Sequence, residues 1–221
     1  MTSWIFLLYA AGHLALFGWA LILLLRHRHP ATVPLLIVTF GLVYDNVVLA
    51  GGAAIGHGEL LERLSVPRFF MHAFGTPLLM LSALGLMRRS GAQWSRTSLP
   101  AVGIAALTLA MIAVGVEADL IGLELAPKAP DGVISYGNAA SHGPPVAPVV
   151  TIIVLVIAGI VLWRRKVGAW LLIGALVQFA AAAIGDAIVI AGNFGELALL
   201  AGLVMSDARL SLKPNAVSTR A

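Results

Sequence analysis

Several groups able to carry protons lie inside long apolar runs of this chain: His13, Asp45 between Tyr44 and Asn46, His72, Glu117, Asp119 and Asp186, with Gln178 and Asn193 among the uncharged ones. An ionisable side chain in such a run is costly, and it usually faces a helix-bundle interior with a partner. A carboxylic acid in apolar surroundings keeps its protonated form more readily, which suits proton donation to a weakly basic substrate. The residue types therefore point to general acid chemistry. Asp45, Asp186, Glu117, His72 and His13 are the expected catalytic set, with Asp45 or Asp186 as donor and His13, His72 or Asn46 as orienting partners. Tyr44, Asn46, Phe69, Phe74, Gln178 and Asn193 are the expected substrate-binding residues; Asn193 follows Asp186 by seven positions and so shares nearly the same helical face. Aromatic rings along these runs can stabilise a cation through their π faces, or belong to interface belts and packing. Asp45-Asn46 can equally serve as an interhelical hydrogen-bond clamp, and His13 as a satisfied bundle histidine.

Other chemistries are excluded by what is missing. The 221 residues contain no cysteine, which removes disulfides, thiolate metal sites and thiol nucleophiles. No phosphate-binding glycine loop, G-x-S-x-G elbow or nucleotide motif occurs. The last two apolar segments carry no lysine for a retinal Schiff base, and no H-x-x-x-H pair exists of the kind zinc-dependent membrane ceramidases use. His13 and His72 with Asp45 or Asp186 could geometrically bind zinc or iron, but no diagnostic spacing supports it, so no metal and no cofactor are expected. Nucleic acid is not an expected partner, because the net charge is only +4 and the basic residues are confined to short loops.

The elements that must position these groups are membrane helices. Hydrophobic residues make up 60% of the chain and charged ones 11%, with a mean hydropathy of +0.97; a soluble domain is about half apolar and a quarter charged. Spans of roughly 20 apolar residues are expected at about 3–25, 33–55, 67–87, 99–121, 146–163 and 168–191, with a shorter seventh at about 194–206. Thr32, Ser65 and Ser98, each two residues before a proline, are expected N-caps. Pro77 is expected to kink the third span.

Of 14 Lys and Arg, 11 fall in alternate loops and the tail: Arg26, Arg28, Arg88, Arg89, Arg96, Arg164, Arg165, Lys166, Arg209, Lys213 and Arg220. The positive-inside rule makes that side cytoplasmic. The expectation is an all-α, seven-helix transmembrane bundle in the plasma membrane, N-terminus out and C-terminus in. Residues 1–206 form one domain and 207–221 a cytoplasmic tail, while Arg63, Arg68, Lys128 and Glu196 are assigned to outer loops. The first segment has no basic region before it, so it is expected to be retained as a helix rather than cleaved as a signal peptide. The loop at about 123–145 is rich in Pro and Gly and faces outside, as a lid or connector. On this layout the buried acids and histidines all lie in the outer half of the bilayer. That implies a polar cavity opening outward and floored near Asp45 and His13.

The run Tyr44-Asp45-Asn46, Pro67-Arg68-Phe69, His72-Ala73 and Thr76-Pro77-Leu78-Leu79, with Gly143-Pro144-Pro145, resembles a block found in small bacterial membrane proteins. That block names no activity. In layout alone, the length and the buried acids are similar to small seven-helix membrane terpene cyclases, which protonate an epoxide or alkene on a prenyl tail. That resemblance would make Asp45, Glu117 or Asp186 the acid. The pair Gly185-Asp186 with Ser206-Asp207 echoes lysoplasmalogenase-like membrane hydrolases, but the rest of the chain does not follow that pattern. The expected function is a membrane-embedded enzyme acting on a hydrophobic lipid or isoprenoid substrate. A small proton-coupled transporter or lipid-binding protein is the alternative, and a structural subunit the third reading.

Overall fold

The computed structural model describes residues 3–141, 145–184 and 189–212. Asp186, with Gly185, lies outside the described residues. A backbone in lipid must satisfy its own N–H and C=O groups, and the chain does so almost entirely as helix. In order these are α1 (Ser3–His27), α2 (Thr32–Ile55), α3 (Glu59–Phe70), a π-helical turn (Met71–Gly75), α4 (Thr76–Arg89), α5 (Ser98–Asp119), α6 (Val146–Arg164), α7 (Trp170–Ile184) and α8 (Val189–Ser211). Because α3, the π turn and α4 are continuous, the described residues form seven helices. Five are long and apolar enough to cross a membrane: α1, α2, α3–α4, α5 and α6.

The third helix begins earlier than its proline suggests. It starts at Glu59, with Glu59 and Glu62 in the first turn where they complement the helix dipole. Ser65 is no cap: it is buried in mid-helix and donates its hydroxyl to the Leu61 carbonyl. Thr32 opens α2, but its hydroxyl donates to Asp207 instead of capping. Ser98 opens α5 behind Thr97, which makes no side-chain cap bond. At Pro77, where a kink was expected, the helix carries a π turn just before the proline. Pro77 has no N–H for the Ala73 carbonyl four residues back, and the chain accommodates this with that turn. Helix α5 presses on that turn at Gly115, where a Cβ would come within 3.0 Å of the Ala73 oxygen.

Two contacts fix the path of the last helix. Near its start, the Tyr9 hydroxyl of α1 donates to the Ile190 carbonyl at 3.2 Å. Near its end, Asp207 accepts from Thr32 and from Arg89. Helix α8 thus runs from α1 at one end to α2 and α4 at the other and continues to Ser211, so Asp207–Ser211, assigned to a tail from sequence, is packed helix. It pairs tightly with α7, since a Cβ on Gly202 would sit 2.5 Å from the Trp170 carbonyl. The long loop folds as a small antiparallel hairpin, β1 (Leu125–Lys128) with β2 (Ser135–Asn138). It covers one end of the bundle, with Val133 packed on Phe6 and Leu49, and Tyr136 on Val48 and Leu61. Gly52 lets the Ile134 carbonyl lie directly on α2, where any side chain would collide.

Candidate functional site

About 10 to 20 Å along the helices from the hairpin end, at 1.5 Å per residue, four charged or ionisable side chains converge: Asp45 on α2, Arg68 on α3, His72 in the π turn and Glu196 on α8. Asp45 is 3% exposed and deep in the bundle. Arg68 donates its Nε–H to Asp45 Oδ1 at 2.6 Å, and His72 Nε2 lies 3.7 Å from the same oxygen. The His72 distance is within ion-pair reach and beyond hydrogen-bond length. The spacing of four residues between Arg68 and His72 places both on one helix face, and Asp45 meets that face from α2. Tyr44 anchors α2 to α3 next to it by donating to the Leu64 carbonyl at 2.8 Å.

His72 also lines a cavity of about 100 Å³ between α2, α4, α6, α7 and α8. Thr76, Thr151, Gln178 and Glu196 supply the rest of its polar wall, and Leu42, Leu79, Ile152, Leu199 and Leu200 much of its apolar wall. That volume admits several waters or the reacting part of a larger molecule. Glu196 is close enough to His72 to interact with it electrostatically. Since Asp45 and Arg68 neutralise each other, the cavity's own proton-active groups are His72 and Glu196.

The remaining expected residues divide by place. His13, 0% exposed, has Nδ1 2.9 Å from the Tyr9 carbonyl, and its buried Nε2 has no hydrogen-bond partner. Across the α1–α2 hairpin Asn46 is buried too; its Nδ2 donates to the Leu42 carbonyl of its own helix, and its Oδ1 is left unpartnered. Gln178 reaches the cavity, and Asn193 is buried on α8. Phe69 is half-buried, and Phe74 stacks on Phe70 at 6.3 Å with much of its ring exposed; neither lines the cavity. Glu117 is exposed at the hairpin end of α5 and does not join the cluster; Asp119 is half-buried close by. No family model, curated protein or solved structure matches this chain. Among the described residues no three His, Asp or Glu side chains are grouped to hold a metal ion.

Arg68 and Glu196, two central members, were expected in loops. Both carried a readable signal: Arg68 stands four residues before His72, and Glu196 interrupts an apolar run that continues to Met205. At the opposite end a second polar cluster closes the bundle. Asp207, 2% exposed, accepts from Thr32 at 2.7 Å and from Arg89, which also donates to Ser211 at 2.8 Å. Between the two clusters lies apolar packing that includes Leu79, Ala83, Leu86, Leu200, Leu203 and Val204.

Proposed function

We propose that this chain is a membrane-embedded enzyme that acts on a hydrophobic, lipid-like substrate by general acid–base chemistry. Glu196 and His72 exchange the proton with the substrate's reacting group in the cavity. Asp45, held by Arg68, is the positioning residue for His72. The observation that carries this reading is one cavity wall bearing a carboxyl and an imidazole while their buried neighbours are already charge-paired. In this reading seven helices cross the plasma membrane, with the N-terminus and the hairpin outside and the Asp207 end in the cytoplasm. Among the described residues the cavity wall includes no Phe, Tyr or Trp. That favours proton transfer at a polar group of a lipid over guiding a carbocation along an isoprenoid chain. The apolar layer between the two polar clusters speaks against a proton path through the bundle, and so against transport.

The test is to purify wild type, Glu196→Gln and His72→Gln in mild detergent and identify the co-purifying hydrophobic molecules by mass spectrometry. The expected result is a discrete lipid whose chemical form or occupancy differs between wild type and Glu196→Gln. An identical lipid complement in all three folded proteins would overturn the enzymatic reading.

A further inference from the structure

A second binding feature lies on the other half of the bundle, independent of the cavity. Helices α4, α5 and α6 enclose a groove of about 400 Å³ whose wall is almost wholly apolar, with Met87, Trp94, Leu99, Gly103, Leu107 and Ile157 among its lining residues. From Leu99 to Leu107 it extends about 12 Å along the axis of α5. A Cβ at Gly103 would meet nothing within 4 Å, so the groove is open there. One mouth is marked by Trp94, half-exposed, as tryptophans at membrane interfaces are.

The turn that carries Trp94 is basic. Arg88 follows Met87 and Arg96 follows Trp94 by two residues. Arg88 donates its Nε–H to the Ser95 carbonyl at 2.8 Å, and Arg96 donates its own to the Arg88 carbonyl at 3.4 Å. Both guanidinium groups are thereby held at the α4–α5 turn. Among the described residues neither has a carboxylate partner. Their remaining N–H donors suit a phosphate, which guanidinium binds in bidentate fashion. An apolar groove beside a turn that carries two uncompensated arginines offers a partner to both parts of one molecule. We propose that it is a binding site for an anionic phospholipid, with an acyl chain against Gly103 and the phosphate on Arg88 and Arg96.

The experiment uses the full chain in nanodiscs and reads quenching of Trp94 fluorescence by chain-brominated lipids, with Trp94→Phe subtracted to remove the other four tryptophans. Brominated phosphatidylglycerol is expected to occupy the site with a preference of about thirty-fold over brominated phosphatidylcholine, from about 1 kcal/mol for each of two arginines. Arg88→Gln/Arg96→Gln should bring that preference close to one. Gly103→Leu, whose Cβ meets no neighbour within 4 Å, places a bulky side chain in the groove and should weaken quenching by both lipids. Millimolar inorganic phosphate should not displace the lipid. Equal quenching by the two lipids in wild type would overturn the proposal. So would a preference that survives loss of both arginines, quenching unaltered by Gly103→Leu, or displacement by inorganic phosphate.

Discussion

Removing Arg68 should destabilise this protein far more than removing both members of its pair. Arg68→Met leaves the Asp45 carboxylate, 3% exposed, facing only half-exposed His72 at 3.7 Å. Breaking a buried pair from one side costs about 3–5 kcal/mol, because the surviving charge keeps its desolvation penalty and loses its compensation. In equilibrium terms that is roughly a hundred- to a few-thousand-fold shift toward unfolding. The double variant Asp45→Asn/Arg68→Met buries no orphaned charge and should recover most of the loss. The assay is reversible unfolding in mixed micelles of dodecyl maltoside and dodecyl sulfate, comparing both single variants with the double. A coupling of several kcal/mol is the expected result. If Arg68→Met cost under about 1 kcal/mol, or the double variant cost the sum of the singles, Arg68 would not be what keeps Asp45 charged in the bundle.

Four further outcomes are expected. Gly52→Ala should push the hairpin off α2 by collision with the Ile134 carbonyl, at a cost of about 1–3 kcal/mol, and trypsin should then cut faster at Lys128 in β1. Asp207→Ala should cost about 3–5 kcal/mol in the same unfolding assay, since Arg89 is left largely buried without its carboxylate. His29, in the α1–α2 turn, is held below its ordinary range by burial and then by the Arg89 charge. Its contribution to stability is therefore fully present above a pH of about 6.5 and is lost as the pH falls below it, and His29→Gln should flatten that part of a stability-versus-pH curve. Pro77→Ala restores an N–H that can bond the Ala73 carbonyl; it should leave thermal stability intact or improved while abolishing co-purification of the hydrophobic molecule that the proposed reaction expects.

The helical architecture was legible because it follows from a strong constraint. Apolar runs in lipid must be helices, and their lengths are set by the bilayer. What was less legible came from treating every charge as a boundary. Arg68, beside Pro67, reads as the edge of a span, and Glu196 as a loop residue before a short weak helix. Both lie inside helices because each has something to face there. Arg68 gains the Asp45 carboxylate from a helix more than twenty residues away in sequence, and Glu196 gains a cavity built by five helices. Such partners are tertiary facts that no local pattern encodes. The same holds at the other end, where Asp207 looked like the start of a tail and is a buried acceptor for Thr32 and Arg89. His72, Asp45 and Gln178 were recognisable because a polar residue in mid-span must be accounted for wherever the helix goes. Glu117 stands apart from them, at a helix end that offers water and demands no partner.

The π turn explains how one helix serves both the ion pair and the cavity. Arg68, His72 and Thr76 stand at intervals of four on a helix that returns every 3.6 residues, so in a regular α-helix each step would drift by about 40° around the axis. Over two steps Thr76 would swing well away from the line of Arg68. The turn at Met71–Gly75 bonds its backbone at i→i+5, which adds a residue to that turn and offsets the drift. Asp45 can then engage Arg68 and His72 from α2, while His72 and Thr76 both line the cavity toward α6, α7 and α8. The distortion originates in Pro77, which withholds one N–H, and it is braced by Gly115, whose missing side chain lets α5 support the widened turn. A proline, a glycine and a histidine that look unrelated in the sequence therefore act on one geometric quantity, the rotation of His72 relative to the ion pair beside it.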